Sequence, residues 1–350
     1  MRIGVKCRTE LSKLKGTFTM QLLSQFLRRE QLDEELTDLI ATLMVACKEI
    51  TLKLRQGAIS GVLGTTTDTN VQGETQKKLD VISNEIIKKY LQNHMTVAGL
   101  ASEEESEPVL CNPNGKYLVV FDPLDGSSNI DINVTVGTIF SILEAHPEQG
   151  YHDEAPYLQS GRKQLASGYV LYGPSALLVL TTGNGVNMFT LSETGDFLLT
   201  REKVMIPEDT QEFAINMSNY RHWEPAMRAY IDELIEGVDG PREKNFNMRW
   251  VAAMVAEIHR ILTRGGIFIY PWDTRVPQKP GKLRLMYEGN PMSMLIEQAG
   301  GIATNCYSDI MDIEPKDIHE RVSVALGSKN EVEKLMEYHQ RIDSIIDKKD

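Results

Sequence analysis

The sequence predicts an α/β (α+β) chain, and three observations carry that expectation. Apolar residues recur at helical spacing over residues 33–56 and again over 79–90. Between Val97 and Leu199 the pattern turns to short β-branched and aromatic runs cut by Gly, Pro and Asn. Beyond Gln211, helical and strand-like stretches alternate. Each amphipathic element has one apolar face to cover, so helices and sheets must be stacked on one another.

The first helix has Asp33 as candidate N-cap and a stripe of Leu36, Leu39, Ile40, Leu43, Val45, Ile50 and Leu54. Residues 57–73 are rich in Gly, Thr and Asn without a period and read as a loop of binding or lid type. A second helix shows Leu79, Ile82, Ile86, Ile87 and Tyr90 on one face. Tyr117-Leu118-Val119-Val120-Phe121 reads as a buried strand that delivers Asp122 at its end, where Pro123 should stop the ladder. Further strands are expected at 134–143, 168–171, 176–181, 186–191 and 197–199, forming a mixed or antiparallel sheet. A polar run follows over 201–211, then helices near 222–236 and 248–264 and strands at 267–270 and 283–287. Asn290-Pro291 opens another helix, and Ser328 with Glu331 forms a capping box before the last. No internal repeat is visible.

With 350 residues, 41% of them hydrophobic, the chain can bury a large core and is long enough for about two domains. A net charge of -12 and the lack of a polybasic stripe argue against nucleic-acid binding, which draws its affinity from clustered Lys and Arg. Four widely spaced cysteines suggest neither a zinc site nor a disulfide framework. Apolar stretches fall well short of the roughly 20 residues that cross a bilayer, and no secretion signal is seen at the N-terminus. The reading is a cytoplasmic protein with no membrane partner. A peroxisome-type organelle is the alternative should residues follow Asp350.

The most informative segment is Asp122-Pro123-Leu124-Asp125-Gly126-Ser127-Ser128-Asn129. Two carboxylates three apart at a strand's end can converge on one point, with the Leu124 carbonyl as a third oxygen, and oxygen donors suit magnesium or manganese. Gly126, Ser127 and Ser128 then offer backbone amides toward an anion. Turn chemistry alone would explain Asp-Gly or Ser-Ser-Asn, but the octet as a whole points to a cation site beside a phosphate site.

This octet, together with Lys77-Lys78-Leu79-Asp80-Val81, Ser102-Glu103-Glu104, Gly265 to Pro271, Lys282-Leu283-Arg284-Leu285, Tyr287 to Pro291 and Ala299-Gly300-Gly301, resembles the fructose-1,6-bisphosphatases. That family lies within the magnesium-dependent, lithium-sensitive sugar and inositol phosphatases. The resemblance runs from about residue 35 to about residue 334. It implies a layered α-β-α-β-α fold with two mixed sheets, an N-terminal regulatory half (1–200) and a C-terminal sugar-phosphate half (201–350). The implied activity is removal of the 1-phosphate of fructose 1,6-bisphosphate by metal-assisted attack of water. Sedoheptulose-1,7-bisphosphatase or a dual-specificity enzyme is the nearest alternative, and a catalytically silent metabolite-binding regulator is another.

By the same resemblance, Glu103, Asp122, Asp125 and Glu288 are metal-binding acids, Leu124 adds its carbonyl oxygen, and two to three Mg2+ or Mn2+ ions are held. Asp80 and Glu104 fall on the pair that polarises the attacking water. Two close carboxylates favour sharing one proton, which raises the basicity of the pair. The loop around Asp68 and Glu74 matches a mobile loop whose acid reaches a further metal, although Glu74 is one methylene longer than the Asp usual there. The distal phosphate and sugar are assigned to Asn216, Arg249, Tyr270, Lys282 and Met254, with Asn219 or Tyr220 in a tyrosine's place and Trp250 in another's. Structural roles compete for Tyr270, as the end of a buried strand, and for Met254, as a core residue. Arg249 is the arginine that enters a neighbouring subunit's site, which implies an oligomer, a homotetramer in this family. Thr37, Lys116 and Tyr117 match a remote AMP site, but Asp33 and Glu144 stand where a threonine and an arginine are usual. Two acids near a nucleotide phosphate should repel it, so AMP binding is expected to be weakened or rebuilt.

Overall fold

The computed structural model describes residues 21–60, 64–69, 75–146 and 153–346. Its main sheet has eight strands, in the spatial order Phe197–Val204, Val186–Leu191, Ala176–Thr181, Gln164–Tyr172, Val136–Glu144, Tyr117–Asp125, Val97–Ser102 and Val109–Leu110. It is mixed, because Val97–Ser102 runs parallel to Tyr117–Asp125 while the other neighbours are antiparallel. A second mixed sheet takes Asn247–Met248, Glu212–Ala214, Ile267–Tyr270, Val324–Gly327 and Ile302–Thr304 in that order.

The alternation of side chains explains the layering. On one face of the main sheet, Val119, Phe121, Phe140, Ile142 and Val170 pack against the helices Glu34–Gln56 and Lys78–Leu91. On the other, Ile139, Tyr169, Leu171 and Val179 meet Val255, Ile258 and Ile261 of helix Met254–Arg264 and Leu295 of helix Asn290–Gln298. Phe268 and Leu326 of the second sheet face the same core, while Ile267, Ile269 and Ala325 turn to Tyr230 and Leu335 on the outer helices Pro225–Glu236 and Lys329–Ile346. Period-2 strands with both faces covered therefore produce the expected helix, sheet, helix, sheet, helix order. Asp33 caps its helix as expected, accepting from the N–H groups of Glu35 (2.8 Å) and Leu36 (3.2 Å).

Several local expectations are corrected. Pro123 does not end the ladder: the strand continues to Asp125, which pairs with Gly137 after a register shift that follows the Asp122–Ile139 pair. A β-bulge absorbs the missing proline donor, and the Pro123 carbonyl accepts from Thr138 Oγ1 at 2.9 Å. The expected loop contains a strand, Thr65–Thr69, paired with Thr75–Lys77; Glu74 lies outside the described residues. The strand expected at 197–199 extends to Val204, because the exposed residues from Thr200 to Lys203 form the polar edge of the sheet. The helix expected from 248 begins at Met254, since Ala252 takes a left-handed φ of 61°. The strand expected at 283–287 ends at Arg284 and gives way to a π-helical turn, Leu285–Gly289. Ser328 and Glu331 do not form a side-chain box: Ser328 Oγ accepts the Gly266 N–H (3.1 Å), and Glu331 takes the Tyr230 hydroxyl (2.8 Å) and Arg242 (2.7 Å).

Candidate active site

The bulge sets the first part of the site. It leaves Asp122 and Asp125 buried on adjacent turns of one strand end, and Leu124 N–H donates to Asp122 Oδ1 at 2.9 Å. Asp125 Oδ2 accepts the Val255 N–H at 2.8 Å, at the start of helix Met254–Arg264, where the helix dipole favours a negative charge. Glu288 arrives on the π-helical turn, and its Oε2 takes the Arg284 N–H at 2.7 Å. Such wide turns are common at functional sites because they re-aim one side chain without ending the helix.

One ligand atom from each of Asp122, Asp125 and Glu288 lies within 4.8 Å of the others. Glu103 hydrogen-bonds Asp122 and ion-pairs with Arg284 Nη1 at 2.7 Å. Its turn is braced from behind: Ser102 Oγ donates to Asn84 Oδ1 (2.7 Å), and Asn84 Nδ2 and Lys88 Nζ both reach Glu105 Oε1 (2.7 and 2.6 Å). Asp80 is buried in the first turn of its helix and accepts the Lys77 N–H at 2.8 Å. All of these acids except Glu105 face one cavity of about 290 Å³, which Glu104 also lines.

Burial and mutual repulsion make this cluster costly without a counter-charge. Burial, followed by the charges of Glu103, Asp125 and Glu288, pushes the Asp122 carboxyl well above its ordinary range. Burial first and Glu103 next raise Glu288 to about 8, against the pull of Arg284. Burial also raises Asp125 to about 7, opposed by the Val255 and Met254 N–H bonds. Asp80 likewise rises to about 7, mainly through burial. Convergent carboxylate oxygens of this kind fit a hard divalent cation, whose charge reverses those shifts.

The remaining walls carry donors and apolar surface. Gly126, Ser127 and Ser128 line the cavity where the strand enters the short helix Ser127–Ile132. Gly126 is required twice over: its φ is 77°, and a Cβ there would lie 2.5 Å from Ala253 Cβ. Gly126→Ala should destabilise the fold by at least about 1–2 kcal/mol from the left-handed backbone alone, with a matching loss of urea midpoint. Asn216, Met254, Tyr270 and Lys282 line the same cavity, with Lys282 Nζ 5.9 Å from the Tyr270 ring centroid. Tyr270 ends its strand and Met254 is buried, so each also fills the structural role that competed for it. Trp250 lines the wall as well, stacked on Phe268 with 6.0 Å between ring centroids.

Tyr220 and Arg249 are not among the lining residues. The Tyr220 hydroxyl donates to both Asp232 oxygens (2.7 and 2.9 Å), and Arg249 is half exposed with Nε 3.7 Å from Glu212. Asn219 is buried, its N–H on the Asn216 carbonyl. Arg284, which sequence reasoning left out of the site, is buried in its lining and pairs with Glu103. Its signal was a charged residue inside the otherwise apolar run that leads to Tyr287.

At the far end of the sheet, Thr37, Lys116, Tyr117, Asp33 and Glu144 form a separate group. The Tyr117 hydroxyl donates to Asp33 Oδ1 at 3.0 Å, Lys116 pairs with Glu35, and Glu144 is the ladder partner of Tyr117. The bond from Tyr117 and the helix N–H groups hold the Asp33 carboxyl below its ordinary range, so it stays ionised.

Comparison with known proteins gives one answer along the whole chain. Residues 16–202 match the family described as fructose-1-6-bisphosphatase, N-terminal domain, and residues 206–340 match its C-terminal domain. The class 1 fructose-1,6-bisphosphatase of Hydrogenovibrio crunogenus is 60% identical over 92% of this chain and 100% of its own length. That of Shewanella woodyi is 61% identical over 91% of this chain and 97% of its own. The holo crystal structure of Leishmania major fructose-1,6-bisphosphatase superposes with a TM-score of 0.87 at 37% identity, covering 92% of this chain and 99% of that one. Matching on both halves and over nearly its full length, this chain belongs to the fructose-1,6-bisphosphatase family.

Proposed function

We propose that the chain hydrolyses the 1-phosphate of fructose 1,6-bisphosphate, releasing fructose 6-phosphate and inorganic phosphate, in gluconeogenesis. The observation that carries this reading is the convergence of Asp122, Asp125 and Glu288 in a cavity that Lys282, Tyr270 and Asn216 also line. The acids suit a cation-bound phosphate, and the lysine, tyrosine and asparagine a second phosphate on a sugar.

Glu103, Asp122, Asp125, Glu288 and the Leu124 carbonyl would hold two to three Mg2+ or Mn2+ ions, and Glu74 would add a ligand from its loop. Bound divalent ions supply charge neutralisation on the transferring phosphoryl group and an activated water. Asp80 and Glu104 orient that water and take its proton, a task suited to a carboxylate that burial has made more basic. Gly126, Ser127 and Ser128 present donors to the reacting phosphate, where charge builds in the transition state. Lys282, Tyr270 and Asn216 bind the distal phosphate, with Met254 against the sugar and Trp250 able to donate through its indole N–H, while Tyr220, bonded to Asp232 outside the cavity, is left out of that role. Arg249, half exposed and outside its own cavity, reaches the site of a neighbouring subunit in a homotetramer.

The division into a regulatory half (1–200) and a sugar-phosphate half (201–350) belongs to the same reading, as does a cytoplasmic location. No described helix is long and apolar enough to cross a membrane. At the Thr37, Lys116 and Tyr117 group, the donors that would meet a nucleotide phosphate are already bonded to Asp33 and Glu35. AMP should therefore bind weakly. Isothermal titration should show no micromolar affinity, and micromolar binding with Glu144 in contact would contradict this.

Phosphate release from fructose 1,6-bisphosphate with and without magnesium tests the main reading. Magnesium-dependent release with fructose 6-phosphate as sole product is expected. Fructose 1-phosphate as product, or release unaffected by removing divalent ions, would overturn it. A kcat/KM higher on sedoheptulose 1,7-bisphosphate would shift the assignment to that sugar.

A further inference from the structure

Residues 249–253 form an irregular link between strand Asn247–Met248 and helix Met254–Arg264, and Trp250, Ala252 and Ala253 on it line the cavity. Ala252 holds a left-handed φ of 61°, which a residue with a Cβ adopts only when its surroundings impose it. The cause lies at Val251, which is gripped on both sides. Its N–H donates to Glu257 Oε1 at 2.6 Å, and its carbonyl accepts from Asn129 Nδ2 at 2.9 Å. Asn129 is buried and closes the octet that carries Asp122 and Asp125, while Glu257 has no exposed surface.

Glu257 is itself fixed from behind. Its Oε2 receives Arg260 Nη2 (3.1 Å) and Nε (3.3 Å), and Arg260 Nη1 reaches Glu212 Oε2 (2.9 Å). Gly266 leaves the room, since a Cβ there would lie 2.6 Å from Arg260 Nη1. A backbone carbonyl could satisfy one peptide N–H at far less desolvation cost than a fully buried carboxylate and its arginine partner. A merely local role is the rival account: Glu257 lies near its helix start, where acids are favoured by the dipole.

We propose that Glu257 and Asn129 are positioning residues that clamp Val251 and thereby hold the substrate wall, Trp250 to Ala253, in register with the metal-binding turn. The inference rests on the proposed activity. A wall displaced by about 1 Å would present the sugar out of line with the attacking water, and misplacement of that size can cost about 10²-fold in rate. Asp122 and Glu288 are held by the Leu124 and Arg284 N–H groups, and Asp125 by the N–H groups at the helix start beyond the clamped link, so the metal-binding acids should feel the loss far less than the wall does.

The test uses the full-length protein with Glu257→Gln, which keeps the size and one carbonyl oxygen, and Asn129→Ala, which removes the donor without touching the helix. Each is expected to lower kcat/KM for fructose 1,6-bisphosphate by about 10²-fold, with kcat carrying at least part of the loss. Manganese binding without substrate should stay within about twofold of wild type. Because both grip one residue, from the peptide on each side of it, the double variant should lose far less than the product of the two single losses. Folded variants with wild-type KM and kcat would overturn the proposal. So would a loss of thermal stability with kinetics unchanged, a fall in manganese affinity parallel to activity, or fully multiplicative losses. Phosphate release by the wild type, measured beside them, separates the two claims: an inactive wild type defeats the proposed activity, whereas an active wild type with unaffected variants defeats only the clamp.

Discussion

Glu104→Gln should lower kcat by about 10²- to 10⁴-fold at saturating magnesium, the range expected for loss of a general base, while leaving KM within about twofold. The amide is nearly isosteric, so the cavity shape and the Glu104 N–H bond to Ser102 Oγ at 3.3 Å are preserved. Only the capacity to take a proton goes. Asp80→Asn should cost a similar factor, and the double variant little more than either single one, because the two carboxylates are proposed to hand over one proton between them. Burial disfavours a second negative charge at Asp80 and so favours a proton shared with Glu104 over two ionised carboxylates. Steady-state kinetics with metal titrations decides the matter. Near-normal turnover of Glu104→Gln at saturating magnesium would show that the base lies elsewhere.

Stripping the protein of divalent ions should make its stability fall as the pH rises. In the folded chain Asp80 and Asp125 titrate near 7 and Glu288 near 8, against ordinary values of 3.8, 3.8 and 4.5. Each folded pKa is raised, so between about pH 4 and pH 8 the folded state binds more protons than the unfolded chain, and the slope of unfolding free energy with pH is negative. The contribution of these groups is therefore greatest below pH 4 and is lost through the folded values near 7 and 8. One pKa unit corresponds to about 1.4 kcal/mol, so a loss of at least about 2 kcal/mol between pH 5 and pH 8 is expected in chelator. Bound magnesium favours the ionised carboxylates and should flatten or invert that slope. Urea unfolding at several pH values, with chelator and with excess magnesium, measures both curves. A chelated protein whose stability is flat or rises with pH would contradict the electrostatic account of the acid cluster.

What could be read in the sequence followed from how local each feature is. The convergence of Asp122 and Asp125 and the turn at Gly126 were legible because eight adjacent residues carry both the carboxylates and the turn that follows. The layering was legible because strands such as Tyr117–Asp125 and Ile267–Tyr270 are apolar on both faces and need cover on each side. The start of helix Met254–Arg264 was misread because Trp250, Val251, Ala252 and Ala253 continue an apolar helical pattern. The left-handed turn at Ala252 depends on Asn129, more than a hundred residues away. The π-helical turn at Glu288 was missed for a local reason: the Arg284 N–H bonds the carboxylate four residues on, and no apolar period marks such a bond. Thr200 to Lys203 looked like a linker because the edge of a sheet has the same polar composition as a loop.

The central claim is that Glu103, Asp122, Asp125 and Glu288 share a cluster of divalent cations. Anomalous diffraction from crystals soaked in manganese tests it most directly. The account predicts two or three strong peaks within bonding distance of these carboxylates. A well-ordered cavity without any anomalous peak among them would contradict it.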